Sequence, residues 1–137
     1  EVAPERWRAV SDYAARMFPR PGIAFADVHA ALAHAMAGNE AAVERIVEGA
    51  TGPAGDLVRE LAAGFRALAA QDWDEAAAHL SRSVVDHARI GGSRAQRDLI
   101  EYALLGALVK QGKREEARLL LAVRRPLKAA AHPVRGL

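Results

Sequence analysis

Three times along this chain, an apolar stripe at helical spacing runs into a short turn and out again into a second stripe. In the central copy Leu57, Leu61, Gly64, Phe65 and Leu68 precede the turn Gln71-Asp72, and Ala76, Leu80, Val84 and Val85 follow it. Upstream, Val28, Leu32, Ala35 and Met36 lead to Gly38-Asn39 and then to Val43, Ile46 and Val47. Downstream, Leu99, Leu104, Leu105 and Leu108 lead to Gln111-Gly112 and then to Ala117, Leu120 and Leu121. This periodicity marks amphipathic helices, and no alternating β-branched run bounded by turn residues competes with it. The expected fold class is all-α: antiparallel helical hairpins, each burying its stripe against the next.

Aligning Val43, Ala76 and Ala117 superposes the turns, with steps of 33 and 41 residues, against about 34 for a tetratricopeptide repeat. That repeat needs a small residue midway along its first helix, another early in the second, and a bulky one four later. Helices approach closely only where side chains are small, and the large residue fills the next gap. Gly64, Ala76 and Leu80 meet the requirement; Ala31, Val43 and Val47, and Leu105, Ala117 and Leu121, meet it loosely. The Trp and Tyr usual in the first helix and the usual closing Pro are missing from all three copies, so a plain helical bundle also satisfies the stripes. Three strings carry a closer likeness: Phe25-Ala26-Asp27-Val28-His29-Ala30-Ala31-Leu32, Gln71-Asp72-Trp73-Asp74, and Gly91-Gly92-Ser93-Arg94-Ala95-Gln96-Arg97-Asp98. On these the chain resembles the tetratricopeptide repeat protein 38-like family, over nearly its whole length, as the C-terminal portion of a longer member. The resemblance implies a helical repeat fold and carries over no activity and no catalytic residue. The array expected is a right-handed superhelical solenoid.

Punctuation places the helices within one domain, 1–137. Pro4 suits the first turn of an N-terminal helix, 4–17, expected to bury Trp7, Val10, Ala14 and Met17. Pro19-Arg20-Pro21-Gly22 breaks the chain. Hairpins are expected over about 24–50, 54–90 and 94–123, with a tail from 124 to 137. Thr51 is a candidate N-cap, Asp72-x-x-Glu75 and Ser93-x-x-Gln96 read as capping boxes, Gly91-Gly92 as a C-cap, and Arg125-Pro126 as the last stop. The long second step has two readings. Either the fifth helix runs to Ile90 and overhangs its neighbour, or the following loop carries Arg94 and Arg97 to the rim of a groove.

At 137 residues the chain can bury a sizeable core, and with aromatics at 5% its apolar positions are filled by Ala and Leu. The absence of Cys excludes disulfides and thiolate chemistry. No apolar run approaches the roughly 20 residues that span a bilayer, and no signal peptide is visible, so a cytoplasmic protein is expected. A first residue of Glu1 rather than Met is expected of a trimmed chain or a fragment. The excess of Arg over Lys and the abundance of Ala suit a GC-rich bacterial genome. The net charge of +2 is too small for a nucleic-acid footprint. After Glu116, however, only Arg118, Arg124, Arg125, Lys128 and Arg135 carry charge. Such a tail suits either a solvated terminus or contact with an acidic partner or nucleic acid.

No catalytic constellation is visible. His29 and His34 are separated by about 140° around a helix, His79 and His87 by two turns, and His132 lies in the tail, so no metal is expected. His29 reads as a packed helical residue with one hydrogen bond. No phosphate-binding loop, G-x-S-x-G or H-E-x-x-H occurs. The carboxylates read as solvent-facing, with none isolated in an apolar setting for acid–base work, and no cofactor is implied.

The function expected is therefore non-enzymatic: a protein-interaction module holding a protein or peptide, or a second copy of itself, in an apolar concave groove. The alternative is the repeat portion of a larger enzyme or regulator whose chemistry lies elsewhere. In tetratricopeptide arrays the first helix of each hairpin lines the groove, which the resemblance assigns here to Phe25, Val28, Leu32, Met36, Val58, Leu61, Phe65, Leu68, Tyr102, Val109 and Lys110. Arg94 and Arg97 stand at its rim. The Lys and Asn of a carboxylate clamp are absent from the matching positions. Leu61, Gly64 and Leu68 are expected inside the stack, and Phe65 is either a groove anchor, with Tyr102, or ordinary core.

Overall fold

The computed structural model describes residues 3–124, and the basic tail from Arg125 onward, with His132, lies outside the described residues. Among the described residues seven α-helices follow one another: α1 (Pro4–Met17), α2 (Ala24–Met36), α3 (Glu40–Gly49), α4 (Gly55–Ala69), α5 (Trp73–Val84), α6 (Arg94–Lys110) and α7 (Arg114–Arg124), with a 3-10 turn at His87–Ile90. The described residues contain no strand. No helix among them is long and apolar enough to cross a membrane.

Helix α2 is the axis. Every residue from Ala26 to Ala35 except His29 is buried, against α1 on one side and α3 and α4 on the others. Its many alanines make this possible, since short side chains let three neighbours approach one helix. Helix α5 packs on α4, and α6 on α5 and α7. Gly64 lets α4 and α5 approach closely: a Cβ built there would stand 3.1 Å from Leu80 Cγ and 3.1 Å from His79 Cβ. Ala76 is fully buried at the same seam. Phe65, Leu61, Leu80, Ile100, Val28, Val43 and Val58 are the largest apolar side chains wholly withdrawn from water.

The hairpin turns are copies of one another. After α2, the Gly38 N–H bonds the Ala35 carbonyl at 3.0 Å and Asn39 N–H bonds that of His34 at 2.9 Å. After α4, Gln71 bonds Leu68 at 3.2 Å and Asp72 bonds Ala67 at 2.9 Å. After α6, Gly112 bonds Val109 at 3.0 Å and Lys113 bonds Leu108 at 2.9 Å. Each is a Schellman motif, whose penultimate residue must be left-handed. Gly38, Gln71 and Gly112 have φ of 71°, 62° and 79°. The next residue opens the following helix: Asn39 and Asp72 accept from Ala42 N–H at 3.2 Å and Glu75 N–H at 3.1 Å. Ser93 and Gln96 form the full reciprocal box at the start of α6, whereas at Asp72 only the Asp72 half of the expected box is made.

Several expectations need correction. Helix α1 turns Ser11 and Ala14 inward, with Trp7 half-buried, while Val10 and Met17 are 49% and 52% exposed. The inward face is set by Ser11, whose hydroxyl meets His34 on α2. Thr51 is exposed and caps nothing: α4 starts at Gly55 after a turn in which Gly55 N–H bonds Gly52. The fifth helix does not reach Ile90. It ends at Val84, where the Ser83 hydroxyl donates to the His79 carbonyl at 2.9 Å. The chain then tightens so that His87 and Ile90 are buried against α4, α2 and α6. Arg89 staples this turn across the seam, to Asp56 at 2.8 Å, to Asp86 at 2.9 Å and to the Pro53 carbonyl. The additional residues of the long step are therefore a tucked bracket, and neither an overhang nor a projecting loop.

Candidate functional site

No open apolar groove runs along α2 and α4. Val28, Leu32, Val58, Leu61 and Phe65 are all buried, with Phe65 wholly so, because α1, α3 and α5 cover the faces expected to be free. The reading of Phe65 as core holds, and Phe65 and Leu32 leave the set of binding residues. Leu68, expected inside, is only half-buried. Phe25 is occupied within the molecule: its ring lies 4.6 Å from that of His29 and is covered by Gly92. His29 itself is a packed residue with one intrahelical bond, Nδ1 to the Phe25 carbonyl at 2.8 Å. Arg97 bonds the Gly92 carbonyl at 2.5 Å, and Arg94 is exposed beside the same loop. Tyr102 is 43% exposed on α6. Of the expected set, Met36, Leu68 and Lys110 share a cleft.

That cleft encloses 650 Å³ where the start of α1, the ends of α2, α4 and α6 and the start of α5 converge. Trp7, Met36, Leu68 and Trp73 form its apolar wall, and Gln71 and Lys110 its polar edge. These are both tryptophans of the chain. The Lys110 ammonium stands 5.8 Å from the centre of the Trp73 ring, within reach of a cation–π attraction that holds the charge at the rim. The Schellman turn after α4 delivers Gln71 and the Asp72 cap delivers Trp73 as the first residue of α5, so the local signals that end one helix and begin the next also build the site.

A second, more polar cleft of 580 Å³ shares Gln71 and Trp73 and continues to Asp72, Asp74, Gln111 and Lys113. Gln111 donates through Nε2 to Asp74, while its Oε1 is buried with no hydrogen-bond partner among the described residues. An acceptor in that condition costs free energy until an N–H donor reaches it. Gln71 is the one non-glycine with positive φ among the described residues. A Cβ in that conformation is strained by about 1–2 kcal/mol, and strain of this kind gathers at functional positions. The sequence offered one sign of this, Gln71 where the sister turns carry Gly38 and Gly112. Nothing in the sequence joins Trp7 to Trp73.

Buried carboxylates, not foreseen from the sequence, occur at Asp27 and Glu101. Glu101 meets His87 Nε2 at 3.3 Å across the α6 seam. No group of three His, Asp or Glu side chains suited to a metal occurs among the described residues. No family model matches the chain, and no curated protein or solved structure matches it at a significant level.

Proposed function

We propose that the chain is a non-catalytic protein-interaction module, a tetratricopeptide-like set of hairpins that grips a short extended peptide in the two joined clefts. The single observation that carries this is the convergence of Trp7, Trp73, Met36 and Leu68 on one open cleft, which shares Gln71 and Trp73 with the polar cleft lined by Gln111. Paired aromatic and thioether side chains suit a large apolar anchor, since buried aromatics often dominate binding energy. Lys110 suits an acidic residue beside the anchor. The repeat character rests on the three matching turns and on the packing of α2 against α4, the first helices of successive hairpins.

The test is selection from a displayed random-peptide library, followed by binding measured through intrinsic tryptophan fluorescence. Peptides carrying an apolar anchor flanked by an acidic residue are expected. Trp7→Ala and Gln111→Ala should each weaken capture without loss of helicity. Selected peptides that bind both variants as tightly as the parent chain would place the site elsewhere.

A further inference from the structure

A smaller pocket of 220 Å³ lies between the end of α1, the 19–22 link, α2 and α3, running along α2 from Asp27 to His34. Phe18, Pro21 and Ile46 give it an apolar wall, and Asp27, His34 and Arg45 share that wall. Asp27 and His34 are each 4% exposed. A largely apolar enclosure with a few convergent polar groups is the usual form of a small-molecule site.

None of the three polar groups is fully matched within the protein. Asp27 accepts from Gly22 N–H at 2.8 Å. Burial nevertheless holds its carboxyl above the ordinary value, and the bonds from Gly22 and Ile23 only partly offset this. A cation beside it would supply the missing compensation. His34 Nδ1 shares a 2.8 Å hydrogen bond with the Ser11 hydroxyl. Burial first, and then the nearby charge of Arg45, hold the ring below its ordinary value and so favour its neutral form. In the tautomer whose Nδ1 accepts from Ser11, the ring proton sits on Nε2. That atom makes no hydrogen bond among the described residues and is not sealed from solvent. Arg45 is exposed at the pocket and likewise has no ion pair or hydrogen bond among the described residues.

Asp27 and His34 stand seven residues apart on one face of α2, which separates them by about 10 Å along the helix. The acid is therefore at one end of the pocket and the two nitrogen donors at the other. We propose that this pocket binds a small amphoteric molecule, its amine against Asp27 and its carboxylate against His34 Nε2 and Arg45. With its charges met at opposite ends of the pocket, the ligand's amine and carboxylate must stand several ångströms apart. That is the span of a short ω-amino acid or a dipeptide rather than an α-amino acid.

The probes are γ-aminobutyrate and glycylglycine, with butyrate and butylamine as single-ended controls, followed by calorimetry and by ¹H–¹⁵N NMR. At least one amphoteric probe should saturate, about tenfold tighter than either control, with shift changes around Asp27, His34 and Arg45. Arg45→Gln should weaken it by about tenfold or more. Because Arg45 is exposed, that variant decides the matter even where Asp27→Asn loosens the link. Trp7→Ala should leave the affinity unchanged, which separates this site from the tryptophan cleft. Absence of saturation by both amphoteric probes at tens of millimolar overturns the proposal, as does butyrate binding equally well.

Discussion

Gly92 lies against Phe25 so closely that a Cβ placed on it would stand 2.6 Å from both Cδ2 and Cε2 of the ring. Its φ of 77° would strain any side chain in addition. Two separate constraints therefore require glycine at one position of the link into α6. Gly92→Ala should cost about 2 kcal/mol or more through backbone strain and the contact together. Phe25→Ala introduced alongside it should recover only the contact part. Thermal melts of the single and double variants measure the two shares.

Phe65 is wholly buried on α4. Phe65→Ala should cost about 3–5 kcal/mol and lower the melting temperature sharply, and binding in the tryptophan cleft should fall only as the folded fraction falls. A variant that melted like the parent chain would return Phe65 to the surface.

Gln71 holds the left-handed position that its sister turns give to glycine. Gln71→Gly should relieve strain and stabilise the fold by about 1 kcal/mol, the conformational penalty less the added freedom of glycine in the unfolded chain. The same change removes a polar side chain from both clefts, so peptide capture should weaken as the melting temperature rises. Opposite movement of the two readouts is the signature to seek.

Lys113 stands where Asn39 and Asp72 cap the helices after the other two turns, and Ala117 N–H reaches back to its carbonyl at 3.1 Å. A lysine side chain cannot accept from the first turn of α7, and its charge opposes the helix dipole. Lys113→Asp should stabilise α7 by about 1 kcal/mol, visible as a rise in melting temperature and slower amide exchange in that helix.

Burial holds His34 below its ordinary value of 6.5. The unfolded ring then takes up a proton that the folded ring refuses, so stability falls as pH drops through 6.5 toward the folded value. Asp27, held above 3.8, has the opposite sign: its buried charge is relieved as pH falls through its raised folded value. Glu60, held below 4.5 through Arg82 and His79 against the cost of burial, loses stability only in stronger acid. Melts between pH 7 and 5 should therefore show a decline that His34→Gln flattens. An unchanged slope in that variant would assign the decline to other groups.

The helices were legible because their stripes, caps and breakers are local. Asp72, Ser93 with Gln96, and Pro4 announce themselves within four residues of where they act. What escaped is set by tertiary neighbours. The apolar stripe of α1 suggested Val10 and Met17, but Ser11 faces inward because His34 waits there with a hydrogen bond. The stripe through Val84 and Val85 pointed to a longer α5, yet Ile90 and His87 find better burial by folding back, and Arg89 fixes the bend to Asp56 from across the seam. The cleft was least legible of all. Trp7 and Trp73 lie far apart in the chain, and only the antiparallel return of each helix brings them to one end.

Because each Schellman turn closes on its own preceding helix, every hairpin joins elements adjacent in the chain, and few pairings require a distant segment to arrive first. Chains dominated by near contacts fold on the microsecond-to-millisecond scale, as little loop entropy is lost before contacts compensate. The first two hairpins meet on the alanine-lined surface of α2, and the third packs on α5. Helix α7 is held mainly by α6, so amide exchange there is expected to be the fastest of the described helices. The tucked bracket at His87–Ile90 ties α6 to both α2 and α4.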